Sequence, residues 1–157
     1  LCIDPWREAA AQQGVASLDA GLSTRSESWD ACYRNFLMTM QPFAAHHVGC
    51  LRQSSQAAHE IYCRRRTVGE APLGPILTGG KIAALHIDGN HTYDAARWDV
   101  FEWGGLVIGG GWLIIDDYEW PYGDGPKRAA NEWVVANQQR IVEKFVCGGA
   151  MFIKLHP

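Results

Sequence analysis

The alternation of apolar and polar positions along this chain predicts strands and helices that follow one another in turn. Two nearly unbroken apolar runs, KIAALHID (81–88) and GGGWLIIDD (109–117), are typical of strands that are covered on both faces. A shorter run, LCIDP (1–5), stops at Asp4 and Pro5 and predicts another strand. The terminal segment IVEKFVCGGAMFIKLHP predicts two strands joined by a hairpin turn at Cys147-Gly148-Gly149.

Apolar residues at helical spacing lie between these runs. They predict a helix over 28–41, with Ser28 as its N-cap and Pro42 beyond its end, and a second helix over 54–66. The inner stripe of a third helix is formed by Tyr93, Ala96, Val100 and Phe101, and Pro126 suits the first turn of a fourth over 127–139. The remaining predictions are a loop with a short helical piece at 7–27, a strand at 46–53 and a Pro/Gly loop at 67–80.

This order of elements predicts the α/β class: a Rossmann-like parallel sheet with helices on both faces and a C-terminal antiparallel hairpin. A length of 157 residues predicts a single domain over 1–157. The formal net charge of −3 gives no electrostatic reason to expect nucleic acid or an anionic membrane as a partner. Five cysteines without CxxC spacing indicate free thiols in a reducing compartment, so a cytoplasmic protein is expected.

Both long apolar runs end in acidic residues, the first at Asp88 and the second at the pair Asp116-Asp117. In an open parallel sheet, ligands bind outside the carboxyl ends of the strands, and consecutive strands usually lie side by side. Three carboxylates would then converge and repel one another, and a divalent cation would relieve that repulsion. Oxygen ligands indicate Mg²⁺, with Mn²⁺ or Ca²⁺ as substitutes. The alternative is that these acids cap helices or end strands in water.

Two aromatic residues have a further candidate role, whereas His86 is assigned none. Trp120 and Tyr122 follow the pair Asp116-Asp117, and their loop is expected to border an acceptor pocket, because aromatic faces suit sugar or aryl rings. Ordinary loop packing is the alternative for both. His86 lies inside an apolar run and is predicted to be a hydrogen-bonded core residue.

The stretch IDGNHTYDAARWDVFEWGGLVIGGGWLIIDDYEWPYGDGPKRA resembles the class I S-adenosylmethionine-dependent methyltransferases. Within that class it is similar to the metal-dependent O-methyltransferases related to macrocin O-methyltransferase and other natural-product sugar methyltransferases. The IDPW near the start also looks like the second strand of that family, and the terminal hairpin looks like its last two strands. The resemblance is strongest across 82–128.

The resemblance implies specific roles for several residues. Asp4 would bind the ribose hydroxyls of S-adenosylmethionine, and Gln53 or Ser54 stands where the family often has an acid that contacts the adenine. Asp88, Asp116 and Asp117 match the metal ligands of the family. His91, three residues past Asp88, matches the position of a general base, although on the residues alone it could equally be a residue at the start of a helix.

The family's glycine-rich first motif, E/D-x-G-x-x-x-G, is expected before Leu1 and is absent from 1–157. The resemblance therefore implies that the first strand is missing, so that either the functional protein is longer or its sheet closes differently. If 1–157 were the whole polypeptide, weak or absent binding of the methyl donor would be expected. The expected function is Mg²⁺-dependent transfer of a methyl group from S-adenosylmethionine to a hydroxyl of a small molecule or glycoside. A hydroxylase-like tailoring protein on the same scaffold and a non-catalytic degenerate domain are the alternatives. The expected partner is a small-molecule hydroxyl acceptor, and a homo-oligomer is left open.

Overall fold

The computed structural model of this chain describes residues 1–12 and 28–157. It divides into two compact units, Leu1–Gly80 and Lys81–Pro157. Strands and helices alternate along both units, which confirms the predicted α/β class, whereas the single domain over 1–157 stays a prediction. None of the described helices is both long and apolar enough to cross a membrane.

The first unit contains two small sheets with helices between their strands. Its described elements are β1 (Cys2–Ile3), α1 (Glu8–Ala11), α2 (Trp29–Met40), a 3-10 turn (Gln41–Phe43), α3 (Ala44–His47), β2 (Cys50–Leu51), α4 (Ser55–Arg64), β3 (Thr67–Val68) and β4 (Ile76–Leu77). Strands β1 and β2 are parallel, with Cys2 opposite Cys50, and β3 and β4 are antiparallel. The short helical piece predicted at 7–27 is α1, and the rest of that loop, 13–27, lies outside the described residues.

The two longer helices of this unit begin at the serines that cap them. The Ser28 hydroxyl accepts the backbone N–H of Ala31 at 3.2 Å, and the Ser54 hydroxyl accepts that of Ala57 at 3.3 Å. These bonds satisfy N–H groups that have no partner within the helix. The predicted helices over 28–41 and 54–66 are thereby confirmed, with ends that lie one or two residues inside the predicted bounds.

Two predictions for this unit need correction. The strand predicted at 46–53 is only Cys50–Leu51, because Val48 donates its N–H to the carbonyl of Ala44 and closes a helical turn before the strand begins. The loop predicted at 67–80 contains the β3–β4 ribbon, in which Val68 pairs with Ile76. Strands of two residues carry too few alternating positions to be recognised by periodicity.

The second unit is a four-stranded sheet with two helices. Its elements are β5 (Ile82–Ile87), α5 (Tyr93–Glu102), a 3-10 turn (Gly104–Leu106), β6 (Val107–Ile115), α6 (Gly125–Ala136), a 3-10 turn (Gln138–Arg140), β7 (Ile141–Cys147) and β8 (Ala150–Leu155). The strand order is β5-β6-β8-β7, with β5 and β6 parallel and the other pairs antiparallel. The adjacent parallel strands and the C-terminal hairpin are as predicted. The hairpin turns at Gly148 and Gly149, which both have positive φ, a conformation that favours glycine.

The core of this unit lies between one face of the sheet and the two helices. Its members are Ala96 and Val100 from α5, Ala129, Ala130, Trp133 and Val134 from α6, and Val107, Leu113, Ile115, Met151, Ile153 and Leu155 from the strands. Of the stripe predicted for α5, Ala96 and Val100 are buried and Phe101 packs partly against the core. Both helices thus contribute to one core, and the combination of parallel strands, helices and a C-terminal antiparallel hairpin agrees with the predicted fold class.

Strand β5 differs from its prediction as a strand that is covered on both faces. No residue of β5 is fully buried, and His86 is exposed, so its prediction as a core residue is wrong. The physical reason is that β5 lies at the edge of its sheet and, among the described strands, pairs only with β6. An apolar composition indicates that a strand can be buried on two faces. It does not indicate whether other elements of the fold cover those faces.

Candidate metal and catalytic site

The acidic residues meet at the carboxyl ends of β5 and β6. Ile87 pairs with Ile115 in parallel register, so Asp88 and Asp116 follow paired residues of neighbouring strands. The backbone N–H of Asp116 donates to the carbonyl of Ile87 at 2.9 Å and extends the ladder by one bond. The register therefore brings the ends of two apolar runs, 28 positions apart in the sequence, to one edge of the sheet, as predicted.

Asp117 is turned away from Asp116 by its backbone conformation. Its φ is 50°, a left-handed value that only Asn, Asp and Gly adopt with any ease, and its N–H donates to the Oδ1 atom of Asp116 at 2.9 Å. Two consecutive residues in extended backbone would point to opposite faces of the sheet. The left-handed turn sends the Asp117 carboxylate toward the loop that follows β5.

Each acid of the pair contacts a different histidine. The Nε2 atom of His91 lies 2.9 Å from the Oδ2 atom of Asp117, and the His91 side chain is only 14% exposed. The Nε2 atom of His86 lies 3.1 Å from the Oδ2 atom of Asp116, and that histidine is 53% exposed. The site thus contains two histidine–carboxylate pairs, one with a largely buried histidine and one with an exposed histidine.

Three of these side chains form a compact group. Asp88, His91 and Asp117 each offer one ligand atom, and the three atoms lie within 4.8 Å of one another. Ligand atoms on opposite sides of a divalent cation are about 4 to 5 Å apart, because each bond is about 2.0 to 2.6 Å long. The donor set therefore fits a single cation. The predicted set of Asp88, Asp116 and Asp117 lies at the same edge, but in the compact group His91 takes the place of Asp116.

The charges at this edge disfavour ionisation of Asp88. Partial desolvation raises the pKa of its carboxyl, and the negative charges of Asp116 and Asp117 raise it further. His86 and His91 act in the opposite direction and offset part of this effect. A bound cation would remove the conflict, since it favours the ionised form of every carboxylate around it.

The position of His91 is fixed by the elements on either side of it. The Asn90 side chain accepts the backbone N–H of Thr92 at 2.9 Å, a local turn that leads into α5. From the other side, the first residue of α6 packs against the His91 backbone: a Cβ on Gly125 would overlap the carbonyl oxygen of His91. Only glycine allows this approach of helix and loop.

An aromatic surface adjoins the compact group. The Trp120 and His91 rings meet edge to face with their centroids 4.5 Å apart, and Tyr122 meets Trp120 in the same way at 5.8 Å. Tyr122 is 58% exposed, and Gly123 packs so closely under Trp120 that a Cβ would lie 2.9 Å from the ring. Of the two predicted acceptor residues, Trp120 thus lies against His91 and Tyr122 lies against Trp120.

The predicted cofactor residues all lie in the first unit. Asp4 follows β1 and is exposed, and its carboxylate accepts the backbone N–H of Trp6. Gln53 is half-buried and lies two positions beyond the end of β2, next to Ser54. The Ser54 hydroxyl is already engaged as the cap of α4. Because β1 and β2 are parallel and in register, Asp4 and Gln53 both follow strand ends at one edge of that sheet.

Two residues with no role predicted from the sequence make contacts at these strand ends. Arg52 donates to the carbonyl oxygens of Pro5 and Trp6 and to the Asp30 carboxylate, so it ties the segment after β1 to α2. His86 reaches Asp116 across the β5–β6 pair. A signal for His86 existed, because positions 86 and 88 lie on one face of a strand.

A comparison with protein-family models places these residues in context. The family model Methyltransf_24, described as "Methyltransferase domain", matches residues 1–118. The matched range includes the edge of the first unit with Asp4 and Gln53 and the compact group of the second, and it ends before Trp120. No curated protein matches the chain.

Proposed function

The chain belongs to the methyltransferase-domain family whose model covers residues 1–118, and from this premise we propose that it is an O-methyltransferase. In the proposed reaction, a hydroxyl oxygen of a small molecule or glycoside attacks the methyl carbon of S-adenosylmethionine. The carbon–oxygen bond forms as the carbon–sulfur bond breaks, and the hydroxyl proton passes to a base of the protein. The observation that supports this most directly is the compact group of Asp88, His91 and Asp117 at the carboxyl ends of two parallel strands.

A divalent cation, Mg²⁺ or Mn²⁺, is part of the proposal. Asp88 and Asp117 would hold it, and Asp116 would complete the carboxylate set by exchanging its bond to His86 for the cation. When bound, the cation would lower the pKa of an acceptor hydroxyl and fix its orientation. The convergence of three like charges and the raised pKa of Asp88 support this assignment, because such an arrangement is unfavourable without a counterion.

His91 is proposed as the general base. Histidine is the residue type best suited to this role, because imidazole side chains in general can take up and release a proton near neutral pH. Asp117 lies 2.9 Å from its Nε2 atom and would stabilise the protonated ring, while the contact with Trp120 restricts the ring's rotation. The small exposed fraction of His91 limits competition from water for its proton.

Binding of the two substrates is assigned to separate groups of residues. In the first unit, Asp4 would accept hydrogen bonds from the ribose hydroxyls of the methyl donor, and Gln53 or Ser54 would contact the adenine. Trp120 and Tyr122 would stack on a ring of the acceptor, because their faces are apolar and their edges are polar. An acceptor with two neighbouring hydroxyls on a sugar or aryl ring fits both the aromatic surface and a cation that can chelate a diol.

The test is a methyl-transfer assay with isotope-labelled S-adenosylmethionine at saturation and a panel of glycosides and catechols. Label should enter the acceptor in the presence of Mg²⁺, and chelation of the metal should stop the transfer. Asp88→Asn should abolish transfer, whereas Asp94→Asn, which removes an exposed acid from the same region, should not. Absence of transfer under every condition would contradict the proposal, and an oxygenated product without label would favour the hydroxylase-like alternative.

A further inference from the structure

Helix α5 carries a charged residue where the core would favour an apolar one. Asp99 is 8% exposed, and it is the one buried charged residue in the described parts of the chain. Its neighbours Ala96 and Val100 belong to the hydrophobic core. Burial of a carboxylate is strongly unfavourable unless hydrogen-bond donors surround it, so a residue of this kind indicates a specific local requirement.

The requirement lies in the segment that joins β5 to α5. A Cβ on Gly89 would come within 3.0 Å of the Oδ2 atom of Asp99, so the carboxylate lies directly against the backbone at Gly89. Gly89 stands between Asp88 and Asn90, and His91 follows one residue later. We call residues 88–91 the acidic turn. It carries two of the three members of the compact group, and α5 brings Asp99 back beneath it.

We propose that Asp99 is a positioning residue for this site: its carboxylate accepts hydrogen bonds from backbone N–H groups of the acidic turn and so holds Asp88 and His91 where they meet Asp117. A carboxylate offers two oxygen atoms with about four acceptor sites and can bind several N–H groups of a tight turn at once. Asp99 itself touches neither substrate nor cation in this scheme. The contact between Asp99 and the acidic turn does not depend on the proposed function. Only the roles of Asp88 and His91, as metal ligand and general base, rest on it.

The absence of a side chain at position 89 is explained by the same arrangement. A carboxylate can bind the backbone of a turn only if no side chain separates the two, and a Cβ at this position would be in forced contact with Oδ2. Gly89 and Asp99 thus act as one structural unit that joins helix and turn. Replacement of a residue that supports a metal ligand in this way commonly lowers metal affinity about 10- to 100-fold.

Amide hydrogen exchange tests the positioning role without any ligand. In Asp99→Ala, the amides of residues 89–91 should exchange at least about tenfold faster than in the unsubstituted chain, while those of β6 and β8 remain protected. Asp99→Asn retains one acceptor oxygen and should have a smaller effect. Asp94→Asn, on the exposed side of the same helix, should leave the turn unchanged. An equal rise of exchange in the turn and in the central strands would indicate general destabilisation and overturn the proposal.

Mn²⁺ binding, followed by electron paramagnetic resonance, tests the link to the site. Asp99→Asn should weaken binding about 10- to 100-fold, and Asp94→Asn should not. If Asp99→Ala fails to fold, the exchange and binding data of Asp99→Asn decide. If the unsubstituted chain binds no Mn²⁺, the cation of the proposed function is refuted, and the exchange data alone decide the role of Asp99. Unchanged exchange at 89–91 in a folded Asp99 variant would overturn the role, whatever the metal result.

Discussion

The Nε2 atom of His91 lies 2.9 Å from the Oδ2 atom of Asp117, across the ends of two parallel strands. Two features produce this contact: the left-handed backbone of Asp117 and the close packing of Gly125 against the His91 carbonyl. In the proposed function, Asp117 is a metal ligand and His91 is the general base. The two roles of the histidine can be separated by experiment.

Replacement of His91 by Gln should leave Mn²⁺ affinity nearly unchanged and lower methyl transfer by about 10²- to 10⁴-fold, the usual contribution of a general base. Glutamine keeps the polarity and approximate size of the side chain but cannot take up a proton. Spectroscopic metal titration and the labelled-methyl assay measure the two quantities separately. Loss of Mn²⁺ binding together with activity would identify His91 as a ligand and reject the base assignment.

Asp88→Asn should make the metal-free chain more stable at neutral pH. An acid whose pKa is raised by folding contributes stability only while it is protonated, and this contribution is lost as the pH rises through the raised value. Removal of the charge should therefore raise both the melting temperature and the free energy of unfolding at neutral pH. The gain in free energy should be less than about 1 kcal/mol, because water screens a carboxyl that is half exposed. The gain should vanish below the ordinary Asp value of 3.8.

Thermal unfolding at several pH values, without added metal, measures this effect. Asp94→Asn is the control, since it removes an exposed acid from the first turn of α5, where a carboxylate favours the helix dipole. That variant should be no more stable than the unsubstituted chain. A lower melting temperature for Asp88→Asn at neutral pH would show that the repulsion among the three acids is not the dominant effect.

Gly125→Ala should destabilise the chain by about 1 to 3 kcal/mol, the usual range for overpacking, and weaken Mn²⁺ binding. The added methyl group would overlap the His91 carbonyl oxygen and force the acidic turn away from α6. Gly105→Ala is the matched control, because a Cβ at Gly105 meets no atom within 4 Å. Equal stability and equal metal affinity of the two variants would contradict the packing described for His91.

Ile153→Val should cost about 0.5 to 1.5 kcal/mol of unfolding free energy, because it removes a methylene group from the centre of the second unit. Ile153 is fully buried in β8, opposite Leu113 of β6. Ile108→Val makes the same chemical change at a residue that is 39% exposed, and its cost should stay within about 0.5 kcal/mol. Urea denaturation measures the unfolding free energy of both variants. Similar losses of stability in the two would contradict the assignment of Ile153 to the core and of Ile108 to the surface.

The elements with strong local signals were predictable from the sequence. Ser28 and Ser54 cap the helices that they were expected to begin, and the two glycines of the terminal hairpin lie at its turn. Such features depend on residues that lie a few positions apart, so they can be recognised from the local sequence. The failures lie at the two-residue strands and at the exposure of β5, where the chain alone does not show which elements pair.

The convergence of the acids at one sheet edge also followed from the sequence, because apolar runs that end in Asp88 and Asp116-Asp117 predict parallel strands with their carboxyl ends side by side. The partners of those acids did not follow from it. The left-handed turn at Asp117, the exchange of Asp116 for His91 in the compact group and the approach of Asp99 to Gly89 each depend on a single backbone angle or on the packing of a helix against a turn. Periodicity determines which face of a strand or helix a residue occupies, whereas distances of a few ångströms between residues far apart in the chain are decided only when the elements pack.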